Sequence, residues 1–316
     1  MRDIGVFAAL LFGMAIFGSG TPTAKIVTDG FPLFLAPFLR LFLAALLTSP
    51  LLIVYRRDLR KISRASWLLI FGIGAIGLVA FSLFLLGGMR LVSGVVGAVV
   101  MSSSPAAVAL GAVWFLGDRL NHIKLAAVAV SIAGVVIINT TGTRISDGGL
   151  WTAAIGSFLV LGAVVSSTAY SLFAKRVTRE VRPVLLIPLA AWIAALLFGG
   201  PGLYQAAQFD FSAPSFEQWA ALVWWGIGPF GLGTMLWFVG LRSVQASTAS
   251  GFMGAMPASG LLVSYVWLGD EFYWMHLVGF ALVLTAIALV AWDHRRGESA
   301  AASEGREFRG CTAYPC

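Results

Sequence analysis

Gly88–Met89–Arg90, Pro105 and Gly117–Asp118 recur as Gly240–Leu241–Arg242, Pro257 and Gly269–Asp270, each 152 residues further on with no gap. Met101 pairs with Met253, Leu110 with Leu262 and Leu116 with Leu268 at the same offset. Chance rarely aligns glycine, arginine, proline and aspartate together, so the chain reads as two copies of one unit. Each copy holds five apolar runs of helical length. An odd number of crossings forces the second copy into a membrane in the opposite sense to the first. Inverted repeats of this kind characterise secondary transporters, whose sites lie between the halves.

Composition agrees with a membrane. The 316 residues are 59% hydrophobic and 11% charged, against about 25% charged in average usage. Runs of roughly 20 apolar residues each suffice to cross the hydrocarbon core as a helix. Spans are predicted near 4–27, 32–55, 66–89, 92–116, 122–140, 150–174, 183–203, 217–241, 245–268 and 275–293. The alternating pattern of a barrel strand is missing. The expected fold is therefore an all-α integral membrane protein, with ten transmembrane helices in two inverted five-helix repeats. Residues 1–143 form the first repeat, 144–295 the second and 296–316 a disordered cytoplasmic tail. Arg2, the apolar run Ile4–Phe17 and Gly18–Ser19–Gly20 also fit a signal peptide. Removing that run would leave nine spans and unequal halves. Cys311 and Cys316 lie in the tail, where they neither staple the fold nor join a metal-ligand set.

The net charge of +7 reflects topology rather than nucleic-acid binding. With a cytoplasmic N-terminus, 17 Lys and Arg residues fall on the cytoplasmic side, including Arg56, Arg57, Arg60, Lys61, Arg64, Lys175, Arg176, Arg179 and Arg182. The opposite side holds three, Lys25, Arg90 and Arg144, while Arg40 falls inside a span. Basic loops stay cytoplasmic, so both termini are expected there.

Arg40 is the one charge predicted within a span, and two readings stand. It could bind a substrate carboxylate, since an intramembrane charge is a functional-site hypothesis by default. It could instead be structural, satisfying carbonyls freed by Pro32 and Pro37 or snorkelling outward. Pro105 and Pro257 sit at mid-span, and each frees the carbonyl four residues back, on Met101 and Met253. Ser102, Ser103 and Ser104 add hydroxyls there, as a binding floor or as a plain kink. Two polar patches also correspond. One is Ser19, Thr21 and Thr23 in span one, and the other is Ser166, Ser167, Thr168, Tyr170 and Ser171 in span six. They could line access routes or make hydrogen bonds between helices. Phe81, Phe84, Phe230, Trp237 and Phe252 could wall an apolar cavity or face lipid.

Gly72–Gly77 and Gly226–Gly231 match G-x-G-x-x-G, but both lie inside apolar spans. A dinucleotide site needs a strand before the motif, so close helix packing is expected instead. All fourteen acids and all three histidines lie in loops, tails or span ends. A proton relay usually needs buried ionisable groups, so direct proton coupling is not expected. H-E-x-x-H, G-x-S-x-G and a buried aspartate pair are missing. The chain is thus read as a non-enzyme without metal or cofactor. The alternative is an intramembrane enzyme or lipid-handling protein.

The five-plus-five spans, the Arg…Pro…Gly-Asp pattern and the basic loop after span two resemble the drug/metabolite transporter superfamily, in particular its ten-helix EamA-type permeases. In that family the fourth and ninth helices carry a mid-helix proline and end in a Gly-Glu-like pair, where this chain has Gly-Asp. The resemblance implies a bacterial inner-membrane transporter of small metabolites, amino acids foremost, working by alternating access around a central cavity. Export direction is implied by the resemblance alone. The partners expected are a small-molecule substrate and the lipid bilayer, with no nucleic acid and no required oligomer. The expected substrate-binding residues are Arg40, Phe81, Met101, Ser102, Ser104, Pro105, Ser166, Tyr170, Trp237, Met253 and Pro257.

Overall fold

The computed structural model describes residues 2–101, 149–178, 180–233 and 255–282, with scattered single positions besides. Every regular element among the described residues is helical. In chain order these are α1 (Arg2–Gly30), α2 (Leu35–Val54), the single turn α3 (Arg56–Leu59) and α4 (Arg64–Gly72). A π-helical segment, π1 (Ile73–Ala80), leads into α5 (Phe81–Met89), then α6 (Gly94–Met101), α7 (Gly149–Val177) and α8 (Pro183–Ala206). Last come α9 (Phe216–Ile227), its π-helical continuation π2 (Gly228–Gly233) and α10 (Ala255–Trp267).

Local chemistry sets the starts. Ser63 accepts the Ser66 N–H ahead of α4. Ser215 and Gln218 cap each other reciprocally ahead of α9, which satisfies two donors the helix itself cannot. Pro183 opens α8, where its missing N–H removes nothing.

Among the described residues five helices are long and apolar enough to cross a membrane: Gly5–Gly30, Leu35–Val54, Arg64–Met89, Trp151–Val177 and Val184–Ala206. They coincide with the first, second, third, sixth and seventh predicted spans. The remaining predicted spans lie wholly or partly outside the described residues. Large apolar side chains such as Phe216, Trp151, Phe158, Leu196 and Val266 stay exposed. Water would penalise so much bare apolar surface, and a bilayer does not.

The helices run in opposed senses in the two halves. α2 and α8 lie antiparallel: Gln205 at the end of α8 meets Phe34 and Leu35 at the start of α2. At the other end Arg182, just before α8, reaches Asp58 beyond α2. α1 finishes at the first of these ends, with the Phe31 carbonyl held there by Arg90. α7 finishes at the second, near Glu180, which binds Ser63 and Ser66. The leading helix of each half therefore points the opposite way.

Two apolar clusters fill the interior. One joins α1, α5, α6, α7, α9 and α10 through Val27, Leu85, Val99, Val160, Trp225 and Leu261. The other joins α2, α4, π1, α7, α8 and π2 through Leu41, Ile70, Ile73, Val177, Phe198 and Phe230. Both mix residues of the two halves. Among the described glycines the tightest approach is at Gly18 of α1, where an added Cβ would lie 1.9 Å from the Met256 carbonyl oxygen of α10.

The paired G-x-G-x-x-G stretches acquire a second meaning. Packing is as expected, since a Cβ on Gly74 would meet Ile193 at 2.5 Å and one on Gly77 would meet Tyr170 at 2.8 Å. Each stretch also falls on a π-helical segment, π1 or π2. Wide π turns are uncommon and often mark functional positions.

Candidate functional site

Arg40 lies in the second turn of α2 and is 5% exposed, so it does not snorkel. Its Cζ lies 3.9 Å from the centre of the Trp225 ring on α9. Gly226 beside it lets α9 sit against the Arg40 backbone, for a Cβ there would lie 3.1 Å from the Arg40 carbonyl oxygen. Among the described residues no group accepts from Nε or Nη1 of Arg40. Neither freed carbonyls among those residues nor the surface occupies those two donors.

The α1 patch faces the same helix. Trp224 Nε1 donates to Ser19 Oγ at 3.0 Å, and Ser19 in turn donates to the Ile16 carbonyl at 2.7 Å. Trp225 reaches Gly20 on its other side. Trp225 also belongs to the apolar cluster that holds Met101, with Phe81 packed against it. Arg40 thus lies against a residue of the apolar cluster to which two of the other predicted site residues belong or pack.

The remaining predicted residues are placed differently. Ser166 donates to Gly162, and Ser167 and Thr168 to Val164, all on their own helix. Such back-bonding leaves their hydroxyl protons committed locally. Tyr170 packs on Gly77 of π1. Ser104 Oγ donates to the Met101 carbonyl at 2.6 Å, which occupies one of that oxygen's two lone pairs. Pro257 lies in α10. Ser102, Pro105, Trp237 and Met253 fall outside the described residues. No group of three metal-ligating side chains occurs among the described residues.

Polar ties gather at both ends of the bundle. At one end Gly269, at φ 64°, turns the chain sharply after α10, a conformation natural to glycine. That turn delivers Asp270, whose Oδ2 accepts the Val95 N–H at 3.0 Å at the start of α6. Gly94 makes room, since a Cβ there would meet Leu268 at 2.3 Å and Ser264 at 2.8 Å. Lys25 Nζ donates to the Met89 carbonyl at 2.7 Å, and Arg90 Nη2 to that of Phe31 at 3.2 Å. Burial pushes the Asp270 carboxyl up from its ordinary value, against the Val95 N–H, the Lys25 charge and the Gly94 N–H. At the far end Glu180 accepts from Ser66 at 2.6 Å and Ser63 at 2.8 Å. Those two hydrogen bonds, Ser66 first, hold its carboxyl below the ordinary range. Arg182 Nε pairs with Asp58 at 2.9 Å.

Sequence reasoning singled out Asp270 only as a symmetric acid and missed Trp225 and Gly94 altogether. An indole in mid-span rather than at an end was the available signal for Trp225.

Apolar helices laid in two opposed sets define a multi-pass membrane protein. The EamA-like transporter family matches the chain twice, over residues 3–140 and 154–292. The chain belongs to that family, and so to the drug/metabolite transporter superfamily. It is 23% identical to the uncharacterized transporter YetK of Bacillus subtilis, over 96% of this chain and 92% of that protein. It is 27% identical to a probable terminal-alkyne amino-acid exporter of Streptantibioticus cattleyicolor, over 89% of this chain and 92% of that one. A solved crystal structure superposes with a TM-score of 0.62 at 21% identity, covering 92% of this chain and 99% of that one. That likeness concerns the fold alone.

Proposed function

We propose that the chain is a ten-span transporter with both termini cytoplasmic, in a bacterial inner membrane, moving small amino-acid-like metabolites by alternating access. Residues 1–143 and 144–295 act as the two moving halves, and 296–316 form a tail. The carrying observation is that the opposed halves are tied at each end by a few polar contacts, beside glycine-lined approaches within. Rocking of one half against the other breaks one set of ties at a time. In this orientation the Asp270 end is the outer one. The exporter relative favours amino acids, and export is taken from it. The described acids at helix ends and the lone embedded guanidinium favour exchange or facilitated diffusion over proton coupling.

Proteoliposomes loaded with a mixture of unlabelled amino acids should take up labelled leucine or phenylalanine by counterflow without a pH gradient. Uptake driven only by a pH gradient would refute the uncoupled mechanism. No uptake of any amino acid would refute the substrate class.

A further inference from the structure

We propose that Arg40 and Trp225 form an anion subsite that holds the carboxylate of the transported solute. The inference rests on the transport reading, which it deepens. A guanidinium is a planar fork whose N–H groups lie in one plane. The Arg40 Cζ lies over the Trp225 ring, 3.9 Å from the ring centre. A ligand is left the in-plane N–H groups, of which Nε and Nη1, on opposite sides of the fork, have no acceptor among the described residues. A carboxylate complements either parallel donor pair of the fork, Nε with Nη2 or Nη1 with Nη2, and each pair includes one of the two unmet donors.

The charge balance points the same way. Arg40 is the one Lys, Arg, Asp or Glu among the buried polar residues described. A buried cation without a counter-ion is unfavourable, and a protein keeping one for stability would surround it with acceptors. Its described neighbours on α9 are instead the Trp225 indole and Gly226. The indole continues into the cluster that holds Met101 and Phe81. A solute with a carboxylate at one end and an apolar body at the other matches that sequence of surfaces. Nε and Nη1 are enclosed in this conformation. The anion therefore enters when α2 and α9 part, at the contact that Gly226 makes close.

Three features follow. Solutes should be distinguished by the carboxylate itself. Removing the charge should not harm the ligand-free protein. Keeping the charge while losing the planar fork should weaken the anion without abolishing it.

The test uses the purified full-length chain and matched acid and amide probes: leucine with leucinamide, phenylalanine with phenylalaninamide, and benzoate with benzamide. Thermal stabilisation and tryptophan fluorescence report binding, since a ligand stabilises the state it binds. The expected result is at least one acid binding about tenfold or more tightly than its amide. Arg40→Met should accumulate, unfold no earlier than the wild type without ligand, and lose the acid preference. Arg40→Lys should keep a reduced preference. A wild type that treats acids and amides alike, including one that responds to neither, overturns the subsite. So does an Arg40→Met protein that keeps the preference. If Arg40→Met unfolds well below the wild type, Arg40→Lys decides: an equal loss of stability with unchanged acid preference assigns Arg40 to structure. A wild type without acid preference but with intact counterflow would sink the subsite and leave the transport reading standing. Absence of counterflow would do the reverse.

Discussion

The two ends of the bundle join the same halves by different chemistry. At the Asp270 end, second-half side chains accept backbone N–H groups at the starts of first-half helices: Asp270 from Val95, and Gln205 from Phe34 and Leu35. Those donors have no partner within their own helix, and leaving one buried and unmet costs about 1–3 kcal/mol. At the Glu180 end the ties run between side chains, and Arg182 of the Asp58 pair is largely exposed. Exposed pairs are worth about 0–1 kcal/mol. In this conformation the Asp270 end is therefore the harder one to part.

That asymmetry can be broken most severely at Gly94. Gly94→Val puts its Cβ where Leu268, Ser264 and Asp270 already lie. A loss of about 1–3 kcal/mol is expected from overpacking. The unfolding midpoint of the purified protein should fall, and a cysteine replacing Ser93 should label faster with a maleimide. Unchanged labelling would mean that the Asp270 end is not closed by this contact.

A matched pair of truncations sharpens the comparison. Asp270→Ala strips a helix start of its cap and should cost about 1–2 kcal/mol. Arg182→Ala removes an exposed partner and should cost less than about 1 kcal/mol, shrinking further as salt is raised. Equal costs would remove the distinction between the ends.

The smallest effect is in pH, where the ends should differ in sign. The folded Asp270 carboxyl lies above its ordinary 3.8. Its contribution is present below that value and is lost as pH rises through the raised folded one. The folded Glu180 carboxyl lies below its ordinary 4.5. Its contribution is present above that value and is lost as pH falls through the lowered folded one. Midpoints measured across acidic pH should therefore flatten in opposite senses in Asp270→Asn and Glu180→Gln. Shifts of the same sense would contradict the burial-driven direction at Asp270.

Much of the fold was legible because apolar length and loop charge are one-dimensional quantities. The 152-residue offset is visible in glycines, prolines and acids without any contact being known. The Gly-Asp pair was visible as a motif, but its purpose was not. That Gly269 turns Asp270 onto Val95 depends on α10 reaching the start of α6, which no spacing encodes. The same holds for Arg40, because an embedded arginine reads alike whether carbonyls surround it or not. The Ser166 patch shows the converse. Its hydroxyls look available in sequence, yet they are committed to their own helix. The glycine pairs carried a spurious motif and a real geometry, because a π turn leaves no composition that differs from packing glycine.

The loop charges of the two halves are reversed copies of one another. In the first half the connection between its first two spans, 31–34, has no basic residue, and the next carries Arg56, Arg57, Arg60 and Lys61. In the second half the corresponding first connection carries Arg179 and Arg182, and the next, 207–215, has none. The packing residues repeat while the basic loops change places. Membrane insertion reads those loops rather than the packing. Synthesised apart, the two halves are expected to enter the bilayer facing opposite ways, each already in the orientation its partner needs.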